Sequence, residues 1–204
     1  MPPPSSLTVT ILAGGRGSRL GGVDKAALDL GGRPILEHML AALGPLAREI
    51  VIVANDDRLA VDSRFRVIRD PEPHAGVLPA LLAALDAATS DLMLLVACDM
   101  PFVSRSLVER LIELAADHDA VVPKVEGYEQ VMHAVYRVEP CQAAVRTALE
   151  RGRRRMIAFL DDVDTLMVAE SDLRALDPDL RSFFNVNTPD DLALARQIVG
   201  GSAS

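Results

Sequence analysis

Three short apolar runs constrain the fold of this chain more than any other feature. Leu7-Thr8-Val9-Thr10-Ile11-Leu12, Ile50-Val51-Ile52-Val53-Ala54 and Leu92-Met93-Leu94-Leu95-Val96-Ala97 have almost no polar side. Each stops abruptly: at a glycine-rich stretch, at Asn55-Asp56-Asp57 and at Cys98-Asp99-Met100-Pro101. Runs of this length that do not alternate with polar residues are strands buried on both faces. Between them lie segments with helical spacing. Pro34 precedes Ile35, Leu36, Met39, Leu40 and Leu43, with Gly44 as the stop, and Leu78 to Ala88 is rich in alanine and leucine. Buried strands alternating with helices predict an α/β fold: a three-layer, mostly parallel twisted sheet with helices on both faces.

The rest of the chain continues the pattern. Phe65 to Ile68, Ala120 to Val122, Val131 to Val138 and Thr165 to Val168 read as further strands. Ser104 can cap a helix through Leu107, Leu111 and Leu114, and Pro140 opens another that closes near Gly152. A short helix is expected from about Arg154 to Leu160, and an irregular polar stretch from Ala169 to Ser182. Thr188 caps a last helix, with Pro189 at its first position and Asp190 and Asp191 in the first turn, where the helix dipole favours acids. No repeat or long linker divides residues 1–204, so one domain is expected, with a lid or substrate subdomain at about 124–182.

In open α/β sheets, ligands bind outside the carboxyl ends of the strands. The loops that begin at Ala13, Asn55, Arg69 and Cys98 all start there, so they should converge on one crevice. The first is the most distinctive. From Leu12 and Ala13 it runs through Gly14, Gly15, Arg16, Gly17, Ser18, Arg19, Leu20, Gly21 and Gly22 to Lys25. Glycines let backbone N–H groups approach phosphate oxygens with no Cβ in the way. Arg16, Arg19 and Lys25 add charge suited to a polyanion. A plain solvated turn does not need so many glycines and cations.

Two common phosphate loops are excluded. The Walker A pattern is absent, and the glycine spacing does not match the dinucleotide fingerprint that leads directly into a helix. Hydride transfer through a bound dinucleotide is therefore the least favoured chemistry. A formal charge of -8 argues against a nucleic-acid partner, which needs a basic face. Only Lys25 and Lys124 are lysines among 21 basic residues, which hints that a compact ammonium is wanted at one of them. Cys98 and Cys141 show no metal-ligand spacing, and the four histidines, His74 and His133 among them, show none either. Met1 to Ser6 lacks the order of a signal peptide, and no apolar stretch is long enough to span a membrane. A soluble, cytoplasmic protein with no membrane partner is expected.

Asp99 follows the most apolar strand. A carboxylate held there by Met100-Pro101 suits Mg²⁺, a hard ion that prefers oxygen ligands. The competing role, capping the next helix, is already available to Ser104. Asp70 before Pro71 is by itself a turn former. Asn185 and Asn187 would share one face if they lay in a strand. Arg153-Arg154-Arg155 is by itself a solvated charge run.

Taken together, these segments resemble the molybdenum cofactor guanylyltransferases. Gly14-Gly15 is similar to the first loop of that family. Ile68-Arg69-Asp70, Cys98-Asp99-Met100-Pro101-Phe102, Ala134-Val135-Tyr136-Arg137, Gly152-Arg153-Arg154-Arg155-Met156 and Asn185-Val186-Asn187-Thr188-Pro189 follow in the family's order. The resemblance spans nearly the whole chain and implies a Rossmann-like nucleotidyltransferase fold. It implies GTP and molybdopterin as substrates, Mg²⁺ as cofactor, and contact with molybdoenzyme assembly proteins. Leu12, Ala13, Gly14, Gly15, Lys25, Asn55, Asp70 and Asp99 would bind the nucleotide. Lys25, Asp99 and Arg19 would act in catalysis, with Asp99 on the metal. Arg154, Arg155, Asn185 and Asn187 would meet the second substrate.

One segment departs from the family pattern. Where the family commonly has a Gly-Pro-Leu-Ala-Gly-like turn at the guanosine, this chain has Gly76-Val77-Leu78-Pro79-Ala80. Pro79 removes a backbone donor, and Ala80 replaces a residue able to take positive φ. CTP with molybdopterin, a sugar phosphate acceptor, and a non-catalytic nucleotide-binding assembly protein are the competing functions.

Overall fold

The computed structural model describes residues 7–13, 25–54, 64–72 and 76–201. The predicted runs become strands β1 (Leu7–Leu12), β2 (Glu49–Ala54), β3 (Arg66–Arg69) and β4 (Leu92–Ala97). They pair in parallel in the order β3-β2-β1-β4, so all four carboxyl ends lie on one edge. All six residues of β1 and of β4 are buried, Thr8 and Thr10 included.

The side chains of β4 divide the core as an alternating strand must. Leu92, Leu94 and Val96 join a cluster with Val9 and Ile11 from β1. Helices α1 (Ile35–Leu43) and α3 (Arg105–Leu114) cover this face, and so does α6 (Pro189–Gly201), which contributes Ala195. Met93 and Leu95 point the other way, onto α2 (Val77–Ala87) and α4 (Val138–Glu150), with Tyr136 and Phe159 filling the gaps. This is the expected three-layer architecture. Among the described residues, no helix is long and apolar enough to cross a membrane.

The far half of the sheet is mixed. Strand β7 (His133–Arg137) lies antiparallel between β4 and β5 (Ala120–Val125). Strand β6 (Tyr128–Glu129) forms a tight hairpin with β5, and β8 (Thr165–Val168) pairs parallel with β5. The direction follows from the connections. A parallel pair needs a crossover of a dozen or more residues, and the links from β5 through β6 to β7 are too short for one. Gly127, at φ 83, supplies the left-handed turn.

Several predicted boundaries shift. Pro140 is the third residue of α4, which starts at Val138, because a proline in the first turn costs no intrahelical bond. At the other end Gly152, at φ 72, closes α4: Arg153 N–H reaches Ala148 O and Gly152 N–H reaches Leu149 O. The short helix expected near Arg154 is a 3₁₀ segment, Met156–Asp162. The stretch expected to be irregular holds α5 (Glu170–Arg174) and a 3₁₀ turn, Arg181–Phe183. Only Leu173 of α5 is buried, so there was no apolar period to read. Asn185 and Asn187 do not lie in a strand, since residues 184–187 belong to no helix or strand.

Candidate active site at the β1 and β4 ends

Chain direction reverses its route through the sheet at β1. The chain leaves β1 for α1 and β2 on one side, and β4 adds on the other. Such a switch point opens a crevice beyond the strand ends. Backbone bonds keep the ends in register up to the crevice. Ala13 N–H donates to Val53 O at 2.8 Å, and Cys98 N–H donates to Leu12 O at 3.0 Å. Ala13 and Cys98 therefore leave the sheet side by side.

Lys25 returns from that loop as the first residue of a short 3₁₀ turn, Lys25–Ala27, anchored by buried Ala26. Its Nζ donates to Asp99 Oδ2 at 2.9 Å and to Asn187 Oδ1 at 2.6 Å. Both charged side chains are largely enclosed, at 14% and 19% exposure. Asn187 arrives from 162 positions away, through the segment before α6. That segment is fastened to the β4 end by Val186 N–H, which donates to Asp99 O at 2.8 Å. Three of the predicted residues thus meet in one hydrogen-bonded centre.

Asp99 Oδ1 is buried and has no hydrogen-bond partner among the described residues. A buried, unmatched carboxylate oxygen is costly unless something else satisfies it. It suits a hard divalent cation that takes its remaining oxygens from water and phosphate. No group of three or more His, Cys, Asp or Glu side chains able to hold a metal occurs among the described residues. Asp99 Oδ1 is a candidate ligand for such an ion.

Other predicted residues are placed differently. Gly14, Gly15, Arg19 and Asn55 lie outside the described residues. Asp70 stands at the carboxyl end of β3, where its Oδ1 accepts the Glu72 N–H at 3.0 Å, the turn-forming role expected of an Asp-Pro pair. Arg154 pairs with Glu72 at 2.8 Å. Its carbonyl lies 3.6 Å from where a Cβ on Gly76 would sit, so it borders the start of α2. Arg155 is exposed, and its carbonyl accepts the Ala158 N–H at 2.9 Å. Asn185 uses its amide locally, donating to Phe183 O at 3.0 Å. The two asparagines therefore do not present one shared amide face.

The unusual turn before α2 resolves simply. Gly76 carries the left-handed backbone, at φ 103, and caps α2. Ala80 is an ordinary buried helical residue, so no positive φ is needed there. Pro79 is the third helical residue, where its missing N–H breaks no helix bond. The Val77 and Leu78 N–H groups remain as donors.

Two features were not legible as part of the site. Asp191, read from sequence only as a dipole-matched acid, accepts N–H groups from Asn187 and Thr188. The Thr188-to-Asp191 spacing of a capping box was the available signal. A pocket of about 690 Å³ also opens beside Asn185, lined by Tyr128, Gln130, Arg174, Arg181 and Phe184. Glu126 and Leu180, the described non-glycine residues with positive φ, both line it.

His133 starts β7 beside the β4 end, fully buried and packed against Phe183 with ring centroids 4.9 Å apart and the ring planes tilted by 49°. Burial pushes its pKa down to about 4, with the Asp177 carboxylate pulling partly the other way. It is a core residue. Between pH 4 and 6.5 the unfolded chain binds the proton and the native state does not, so stability rises with pH across that window. The wild type should lose about 2–3 kcal/mol from this group between pH 7 and 4.5. His133→Phe should remove that share of the slope in urea titrations at the two pH values.

Comparison with known proteins decides the family. The MobA-like NTP transferase domain family matches residues 9–165. The chain belongs to this family. Beyond the domain match, it is 35% identical over 198 residues to a probable molybdenum cofactor guanylyltransferase of Natronomonas pharaonis, covering 93% of this chain and 96% of that one. A molybdenum cofactor guanylyltransferase of Vibrio cholerae is 32% identical over 194 residues, covering 93% and 91%. Among solved structures, molybdopterin-guanine dinucleotide biosynthesis protein A from Archaeoglobus fulgidus superposes with a TM-score of 0.79 at 31% identity, covering 95% of this chain and 99% of that one. A 2-C-methyl-D-erythritol 4-phosphate cytidylyltransferase from Thermus thermophilus shares the fold at 23% identity and a TM-score of 0.71. In this MobA-like chain the Lys25–Asp99–Asn187 centre falls at the β1/β4 switch point, and the curated relatives cover the Asn187 segment that lies beyond the domain match.

Proposed function

We propose that this MobA-like chain transfers GMP from Mg²⁺-bound GTP to the terminal phosphate of molybdopterin, releasing pyrophosphate and giving the guanine dinucleotide form of the cofactor. The observation that carries the reading is Asp99, with one oxygen held by Lys25 and the other buried and unpaired. It stands in a chain whose relatives bear the guanylyltransferase name.

The acceptor phosphate has a second pKa of about 6, so it is largely dianionic at neutral pH and needs no general base. One of its oxygens attacks the α-phosphorus. The bond to the bridging oxygen breaks in line, and the electron pair leaves on pyrophosphate. Catalysis is then positioning and charge neutralisation. Lys25 places its ammonium against the triphosphate, and Asn187 and Asp99 hold it there. Mg²⁺, held by Asp99 with phosphate oxygens, would offset the charge that builds on the leaving group.

Leu12, Ala13, Gly14, Gly15 and Arg19 would cradle the triphosphate, with Asn55 and Asp70 toward the nucleoside. Arg154 and Arg155 would face phosphate at the mouth of α2. Asn185 would reach the acceptor from the rim of its pocket, where Tyr128 offers a flat face to a pterin ring. The hairpin that carries Tyr128 is then the substrate-side element within 124–182. A cytoplasmic setting, where GTP is abundant, and hand-over of the product to molybdoenzyme assembly proteins accord with this role.

The product gives the direct test. After incubation with GTP, Mg²⁺ and molybdopterin, the pterin should gain the mass of one GMP. An unmodified pterin, with a sugar phosphate modified instead, would replace the acceptor. A nucleotide bound but never turned over would replace the enzyme with a carrier.

A further inference from the structure

We propose that Asp191 is a positioning residue for the transfer reaction and acts through Asn187. The inference rests on the reading of Lys25, Asp99 and Asn187 as the centre that neutralises the triphosphate. Residues 184–187 belong to no helix or strand, so regular secondary structure does not hold Asn187 in place. Two clamps do so instead. Upstream, Val186 N–H is bonded to Asp99 O at 2.8 Å. Downstream, Asp191 Oδ2 accepts the N–H groups of Asn187 at 3.0 Å and Thr188 at 2.8 Å. The Asn187 side chain, 2.6 Å from Lys25 Nζ, leaves the backbone between these clamps.

A carboxylate taking two N–H groups forms charge-assisted bonds, stronger than those a neutral amide would make. The Asp191 carboxyl is held below the usual range first by the Asn187 N–H, then by Thr188, with a smaller pull from the Lys25 charge. Thr188 Oγ accepts the Asp191 N–H at 3.2 Å, completing the helix cap. Thr188→Ala gives a control, because it removes the hydroxyl while leaving the Asn187 and Thr188 N–H groups on Asp191 Oδ2 in place.

The test compares Asp191→Asn, Asn187→Ala, the double variant and Thr188→Ala, each in GMP transfer at saturating Mg²⁺ and in a thermal melt. Asp191→Asn should lower kcat by about 10–100-fold with KM for GTP within about 3-fold, as expected when a group is misplaced by about 1 Å. In the Asn187→Ala background it should add no more than about 3-fold, because the two act on one step. Thr188→Ala should lose a similar part of the melting temperature while keeping kcat within about 3-fold of wild type. Equal loss of kcat in Thr188→Ala and Asp191→Asn would reduce Asp191 to a helix cap. Multiplying effects in the double variant would also overturn the proposal. Wild-type transfer by Asn187→Ala would instead remove the reading of the centre itself, and Asp191 with it.

Discussion

Asp99→Asn is expected to lower nucleotide transfer by about 10³-fold or more while leaving a folded protein. The substitution preserves size, and an amide oxygen can still accept from Lys25. What it removes is the negative charge, together with the buried oxygen that has no partner among the described residues. If that oxygen serves only the fold, the swap leaves turnover unchanged, since the amide nitrogen that replaces it is another unmatched buried polar atom. If it holds a cation, the ion binds weakly and the leaving pyrophosphate is left uncompensated. The two cases separate in one Mg²⁺ titration with a parallel thermal melt. The variant should melt near the wild type, need far more Mg²⁺, and still fall short at saturation. Turnover at the wild-type rate would remove the metal assignment.

The second large effect is at Lys25. Lys25→Ala should reduce kcat/KM for GTP by about 10²–10³-fold, the cost of losing one preorganised charge at a reacting phosphate. Lys25→Arg should recover little. The ammonium sits 2.9 Å from Asp99 and 2.6 Å from Asn187 inside a largely closed site. A planar guanidinium is larger and presents its donors in a fixed fork, so it cannot replace a point charge bridging these two oxygens. This accounts for a lysine here in a chain that otherwise uses arginine almost throughout. Raising Mg²⁺ should not rescue Lys25→Ala, because the missing charge lies on the protein. Steady-state kinetics on both variants check this, and full activity in Lys25→Arg would show that any cation suffices.

The sequence disclosed the site unevenly, for physical reasons. Strands β1, β2 and β4 were legible because burial on both faces removes polar alternation, and their abrupt ends marked the crevice. Lys25 and Asp99 stood out through the loops that follow those ends. The partnership with Asn187 was not legible in the form it takes. The i, i+2 argument assumed a strand, whereas residues 184–187 are placed by hydrogen bonds to Asp99 and Asp191, contacts distant in sequence or hidden in a cap. The insertion of β7 between β4 and β5 was equally hidden. Strand direction depends on connection lengths and partners, and no apolar period encodes it. At the departure, Gly76 carries the left-handed turn and α2 starts at Val77, one residue before the predicted start, so Ala80 needs no positive φ, while Pro79 still offers no N–H. The pocket beside Asn185 was missed because its lining comes from several distant elements, none of them strongly patterned.

Pyrophosphate release from GTP, CTP and ATP, each offered with Mg²⁺ and molybdopterin and again without the pterin, tests the central claim most directly. The account predicts release with GTP and pterin together, in step with loss of the free pterin phosphate, and little in any other combination. Release with CTP in place of GTP, or from none of the three, would contradict it.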